Sequence, residues 1–289
     1  MLMTILEQGM IYGILALGLL ITYRILDFPD LTVDSSFPLG AAVSAILTVN
    51  GVNPGLTLLA AIAAGAGAGL ITGLIHVKCK VRDLLSGIIT MTALYSVNLR
   101  IMGKANISLL KMDTVFTPFE NLGLSKNLAV IAVMVVIVAL YWFFGTELGC
   151  AIRATGNNHR MARAQGINTR FMTIVALMLS NGLVGLAGAL IAQNQNFADM
   201  SMGIGSIVIA LASLIIGEVL FGKRNFFLRL LSLVFGAVVY RIIIAFVLWL
   251  GMPSNDLRLF TALTVALALA LPVFRSYFQT LRRSLRKGE

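Results

Sequence analysis

Long apolar runs separated by short polar breaks dominate the chain. They extend over Ile5–Ile21, Ser36–Val52, Leu56–Val77, Leu84–Met102, Asn127–Gly145, Phe171–Ala192, Gly205–Phe221, Phe226–Leu250 and Arg258–Phe274. Each approaches the roughly 20 residues that a helix needs to cross the hydrocarbon of a bilayer. The pattern predicts an all-α, polytopic membrane helix bundle of about nine transmembrane helices, with about eight to ten compatible with these run lengths. Composition agrees, since 58% of residues are hydrophobic and only 12% charged, about half the charged share of ordinary soluble domains. Residues 1–289 are therefore read as a single transmembrane domain, with no room for a sizeable soluble one.

Charge orients the bundle. If the polar stretch Glu147–Arg170 is cytoplasmic, Arg100, Lys104, Lys111, Lys126 and Arg258 fall on the opposite side or at helix ends facing it, and Arg241 lies inside a span. The remaining lysines and arginines gather on the cytoplasmic side. Cytoplasmic loops are enriched in Lys and Arg, so the amino terminus is expected outside and the carboxyl terminus in the cytoplasm, as in a multi-pass protein of a bacterial cytoplasmic membrane. The net charge of +10 is spread over many loops rather than one basic stripe with interleaved aromatics, so no nucleic-acid partner is expected. The first apolar run contains Glu7 and lacks the basic start of a cleavable signal peptide, so it is expected to stay as a membrane helix. Cys79 and Cys150 have no CxxC or histidine cluster around them, and no disulfide or metal site is expected.

The stretch ELGCAIRATGNNHRMARAQGINTR, residues Glu147–Arg170, is the most polar island. Asn157 or Asn158 can cap a short helix through Ala164, and Gly166 suits the left-handed residue that ends one. Arg153, Arg160, Arg163 and Arg170 meet only Glu147 as local counter-charge, with Met161 and Ala162 between them. The island reads as a cationic, partly apolar knob that fits a groove on another protein. The same arginines would also follow from the positive-inside tendency alone.

Polar groups inside apolar runs are costly unless they meet a partner or water, which makes them candidates for a translocation path. Asp34, Tyr95, Ser96, Asn98, Asn181 and Arg241 are the residues singled out, with hydrogen bonding between helices as the competing role. Arg241 would be neutralised by Glu218 or Asp34. The segment Arg24–Gly40, with its aspartates, Pro29 and Pro38, predicts a broken helix or re-entrant turn, or a simple turn between spans. Asp34, Ser35 or Ser36 would cap the next helix, with Pro38 in its first turn. Ala61, Gly65, Gly69 and Gly73 form a small-residue stripe suited to close helix packing, and Gly182, Gly185 and Gly188 thin another span. Gly217–Arg224 reads GEVLFGKR but lacks the final Ser or Thr and the strand of a phosphate loop, so no nucleotide site is expected. No nucleophile with a base and no paired carboxylates stand out, and a catalytic role is not expected.

The stretches LDFPDLTVDSSFPLGAAV (Leu26–Val43) and AIRATGNNHRMARAQGIN (Ala151–Asn168) resemble the permease subunits of ATP-binding-cassette importers, in the group with the ribose and branched-chain amino-acid permeases. Within it the chain is most similar to amino-acid-type permeases paired with a periplasmic or lipoprotein binding protein. The resemblance covers nearly the whole chain and departs at Ser35, where the family pattern would place glycine. It implies that residues 147–170 form the cytoplasmic coupling-helix loop, with Arg153, Asn157, Asn158, Arg160, Met161, Arg163 and Gly166 docking the ATPase. The implied partners are two ATPase subunits, a second permease copy, and an extracytoplasmic binding protein delivering a small solute, an amino acid. This chain would hold no cofactor; ATP and Mg would be bound by the ATPase. The alternatives are an ion-coupled secondary transporter or channel using Asp34, Glu218 and Arg241, and a purely structural membrane subunit.

Overall fold

The computed structural model describes residues 2–118, 125–222 and 225–249. Helix α1 (Leu2–Leu19) runs into a π-helical turn, Leu20–Ile25, and is followed by α2 (Val33–Val49), α3 (Pro54–Cys79) and α4 (Asp83–Met102). Then come strand β1 (Asn106–Ser108), α5 (Ser125–Gly145), α6 (Glu147–Asn157), α7 (His159–Ala164) and α8 (Thr169–Gln195). Strand β2 (Phe197–Asp199), a 3₁₀ turn (Met200–Gly203), α9 (Ser206–Phe221) and α10 (Phe226–Trp249) complete the order. Among the described residues, 7 helical stretches are long and apolar enough to cross a membrane, and α2 is a shorter apolar helix. These match the predicted runs through Phe226–Leu250. The predicted run Arg258–Phe274 and the carboxyl terminus lie outside the described residues.

Local chemistry sets the helix ends. Asn53 accepts from the Gly55 N–H at 2.9 Å, with Pro54 at the first helical position of α3. Asn168 caps α8 by accepting from Phe171 N–H at 3.2 Å. Strands β1 and β2, which the sequence pattern did not predict, pair antiparallel with Asn106 opposite Asp199 and join the ends of α4 and α8. Asp199 is held there by the Ser201 N–H (2.7 Å) and Asn106 Nδ2 (3.1 Å). Burial works against its ionisation, yet these hydrogen bonds outweigh it and keep the carboxyl below its ordinary value.

The spans differ in how deeply they are buried. In the most apolar windows of each span, 72% of α1 and 67% of α8 are buried, against 28% for α4 and 33% for α3, α5 and α9. Helix α5 has the highest mean hydropathy, 2.7, and exposes Val130, Ile131, Val135, Val138 and Trp142. Oiliness does not simply follow exposure among the outer helices, since α4, the least buried, has the lowest mean hydropathy, 1.3. The inner ones carry polar groups that satisfy one another, as buried polar side chains in a membrane must. Gln193 of α8 donates to Ser44 and Thr57 hydroxyls, both at 2.9 Å, and accepts from Val115 N–H. Ser180 donates to the Gly18 carbonyl at 2.8 Å, and the Thr32 and Thr72 hydroxyls meet at 2.8 Å.

The small-residue stripe of α3 packs against α8. Gly65 and Gly69 lie on the backbone carbonyls of Asn181 and Leu177, closer than any Cβ would allow, and Gly185 reciprocates on the Ala61 carbonyl. Gly217 sits against Ser232 of α10, and the GEVLFG part of the phosphate-loop look-alike is the end of helix α9.

After α1 the chain breaks. Asp27 takes a left-handed φ of 59°, and residues 26–32 return as irregular backbone with Leu26, Phe28, Asp30 and Thr32 buried. Phe28 N–H bonds back to the Thr22 carbonyl. Asp30 accepts from Asn181 Nδ2 at 2.7 Å, well inside α8. This is the predicted broken helix. Irregular backbone at such a depth persists only when covered by protein.

The expected capping of α2 is corrected. Its N-cap is Thr32 without a side-chain cap bond, and Pro38 stands inside the helix rather than in its first turn. Asp34 instead reaches across to the start of α9, accepting from Ser206 Oγ (2.8 Å) and Ile207 N–H (3.0 Å). Pro38 has no N–H to give the Asp34 carbonyl, and Gly203 packs its backbone against that carbonyl, which draws the two segments together. Ser35 lies in regular helix, so this position needs no glycine.

Candidate functional site

Two regions carry the candidate residues. The first is the α6–α7 corner. Thr146 caps α6 from its side chain, a helix that the sequence pattern does not predict, its expectation here being only the short helix through Ala164. Its signal was the spacing of Gly149, Ile152 and Thr155, which form its buried face. Asn158 then caps α7, accepting from Arg160 N–H (3.0 Å) and Met161 N–H (3.1 Å). Gly166 has φ +80°, ending the element as predicted.

The corner has an inner and an outer side. Ala162 is buried, while His159, Arg160 and Met161 are exposed, Met161 at 52%. Arg163 is tied back, Nε donating to Thr169 Oγ1 at 2.9 Å. Arg153 lies over aromatic rings, 4.2 Å from the centroid of Phe226 and 5.2 Å from that of Phe144, a cation–π arrangement that anchors α6 to α10. Gly156 sits against the Ile25 carbonyl, so the corner touches the break after α1. Asn157 helps to line a cleft of about 470 Å³ between the end of α1, α6 and α10.

Beside that cleft stands an ion cluster. Glu218 of α9 accepts from Arg24 Nη2 at 3.0 Å and Arg229 Nη2 at 2.7 Å, with its side chain 10% exposed. Arg241 therefore does not pair with Glu218 or Asp34 as expected. It donates to Gln8 Oε1 and lies 4.9 Å from the centroid of Tyr12, at the seam of α10 with α1. The reason is register: Arg24 and Arg229 are nearer the end of α9 where Glu218 sits, and Asp34 is engaged at the other end of that helix.

The second region is a cavity of about 400 Å³ between α2, α4 and the 3₁₀ turn before α9. Asp34, Tyr95, Ser96 and Asn98 all line it, together with Ser35, Thr92, Met91 and Met200. The cavity does not include Asn181 or Arg241. Asn181 is fully buried, accepting from Ser36 Oγ at 2.7 Å and donating to Asp30 and to the Leu177 carbonyl, an interhelical role. Asn98 is fully buried in the cavity wall. Its Nδ2 donates to the Ser35 carbonyl at 3.0 Å, and its Oδ1 has no partner.

The sequence of residues 1–272 matches the family described as the permease component of the branched-chain amino acid transport system. The tyrosine transport system permease protein of Clostridioides difficile is 42% identical over 268 residues, 92% of this chain and 90% of that protein. The ribose import permease protein RbsC of Escherichia coli is 28% identical over 89% of this chain and 78% of its own length. The probable branched-chain amino acid transport permease protein LivH of Methanocaldococcus jannaschii is 30% identical over 74% of this chain and 73% of its own. No solved structure matches.

Proposed function

Since the chain belongs to the branched-chain amino acid transport permease family, the permease subunits of ATP-binding-cassette importers for small solutes, we propose that it forms the translocation path for an amino acid. In this reading the α6–α7 corner is the cytoplasmic coupling loop, and the first residues of α1 lie outside. Two ATPase subunits hold ATP and Mg, a second copy of this chain completes the path, and an external binding protein delivers the solute.

The observation that carries the proposal is the construction of the corner. Its outward side offers Arg160 and Met161, cationic and apolar together, to a groove on a partner. Its inward side is fastened by Arg153 to α10 and meets the end of α1 at Gly156. A push on α7 would therefore reach α1, the 26–32 break and, through Asp30, the centre of α8. Coupling of this kind requires two packings of the bundle with different affinity for the closed ATPase pair. The alternative of an ion-coupled transporter loses support because Asp34, Glu218 and Arg241 each engage a protein partner.

The test replaces the outward residues and spares the tied-back Arg163. In proteoliposomes containing the whole importer, Arg160→Glu with Met161→Glu is expected to abolish ATPase association and ATP-driven amino-acid uptake, while the permease still assembles. Undiminished uptake by that variant would refute the docking role. Uptake that needs an ion gradient and no ATPase would replace the importer by the ion-coupled alternative.

A further inference from the structure

The wall of the 400 Å³ cavity offers hydrogen-bond acceptors in excess of donors. The Asn98 amide must point its nitrogen at the Ser35 carbonyl, because only the nitrogen can donate. Its Oδ1 is thereby left buried and unpaired. The Ser35 hydroxyl proton goes to the Met91 carbonyl at 2.8 Å and the Thr92 proton to the Ile88 carbonyl at 2.8 Å, so both hydroxyl oxygens remain as acceptors. Asp34 adds a carboxylate that receives two donors at Oδ1 alone. Among the described residues no lysine, arginine or histidine lines the cavity.

A buried acceptor without a donor is an uncommon arrangement that calls for an explanation. A carboxylate and an unpaired amide oxygen in one cavity wall suit a group with several N–H donors and a positive charge. The remaining lining, with Tyr95, Met91 and Met200, suits an apolar or aromatic body. We infer that the cavity recognises the ammonium group of the passing solute, with Asp34 and Asn98 as its acceptors. Asn98 lies fifteen residues from the first residue of α4, about 22 Å along the helix at 1.5 Å per residue, and four from its last residue, Met102, which sets the cavity toward the end of the span away from α6 and α7. The inference rests on the translocation reading above and adds to it the chemical class that the path itself selects. A neutral polyol of the sugar type brings no cation to the carboxylate, and a carboxylic acid without an amine would be repelled by it.

The experiment uses the permease–ATPase complex in lipid nanodiscs without any binding protein, so that the selectivity measured belongs to the cavity. Equilibrium binding of radiolabelled tyrosine is competed with tyramine, with 3-(4-hydroxyphenyl)propionate and with ribose. Tyramine, tyrosine without its carboxylate, is expected to compete at least about tenfold better than 3-(4-hydroxyphenyl)propionate, tyrosine without its amine, since hydrogen bonds to charged groups are the stronger ones. Asp34→Asn keeps an oxygen for Ser206 and Ile207 and is expected to erase most of that preference. Asn98→Leu, which removes the unpaired oxygen at similar volume, is expected to weaken it, and it decides the matter if Asp34→Asn fails to assemble. Equal competition by tyramine and the deaminated acid, absence of binding up to millimolar tyrosine, or an unchanged ratio in a variant that assembles would each overturn the inference. ATP-driven uptake by the whole importer is measured alongside. If uptake persists without an ammonium preference, only this inference falls; if wild type shows no ATP-driven uptake, the translocation reading falls with it.

Discussion

Replacing Gly65 by alanine puts one methyl group where α3 crosses α8. That Cβ would lie inside the Asn181 backbone carbonyl, a group that cannot rotate away. The helices must part, and overpacking of this kind costs about 1–3 kcal/mol. Asn181 would move with its backbone, stretching its bonds to Ser36 and Asp30, both 2.7 Å long, at a further cost of roughly 1 kcal/mol. Gly73→Ala should be milder, since its Cβ would lie 3.0 Å from the Ile174 side chain and 3.2 Å from its Cα, contacts that a shift of a few tenths of an ångström relieves. Gly67 faces nothing within 4 Å, so Gly67→Ala should be neutral or gain up to about 1 kcal/mol from the better helix former. Thermal melting in detergent, read as the loss of the monodisperse size-exclusion peak, ranks the three. At about 2–4 °C per kcal/mol, Gly65→Ala should melt on the order of 5–15 °C below wild type. Gly65→Ala and Gly67→Ala melting within about 2 °C of each other, less than 1 kcal/mol on that scale, would refute the close crossing.

Other consequences follow from single contacts. Asn158→Ala removes the acceptor for two N–H groups of α7 and should cost about 1 kcal/mol of local helix stability, seen as faster amide exchange at Arg160 and Met161; unchanged exchange would remove Asn158 as the cap. Glu218→Gln with Arg229→Met, measured as a double-mutant cycle by chemical denaturation, should give a coupling of about 1–3 kcal/mol because the pair is largely shielded from water; additivity would mean that the pair contributes nothing. The Asp199 carboxyl is held below its ordinary value of 3.8, so its contribution to the β1–β2 pair is complete above that value and fades as pH falls below it. Proteolysis at residues 106–108 should therefore be independent of pH between about 5 and 8, and Asp199→Asn should raise it throughout that range; an unaltered rate in the variant would show that Asp199 does not hold the pair.

How much was legible depends on the range of the interaction. The spans from Ile5 to Leu250 were readable because each is decided by apolar residues within one helix. The Asn158 cap and the Gly166 terminus were readable for the same reason, their partners lying within a few residues. Helix α6 was missed because its few apolar positions lie on one narrow face and carry no long run. Strands β1 and β2, three residues each, pair residues about ninety positions apart, a partnership that no local pattern encodes.

The sequence by itself determined a membrane-spanning bundle, the position of its chain break and the small-residue stripe along α3. Only the tertiary structure decided which polar groups meet. Asp34 turned from its own helix to α9, Arg241 from the expected carboxylates to Gln8 and Tyr12, and Asn181 from the path to Asp30 and Ser36. Four of the six residues singled out as path candidates, Asp34, Tyr95, Ser96 and Asn98, share one cavity wall. A polar side chain in lipid must find a partner, and the sequence states that need. The depth at which each helix crosses its neighbour selects the partner, and where α3 crosses α8 that depth is set by glycine contacts between residues more than a hundred positions apart.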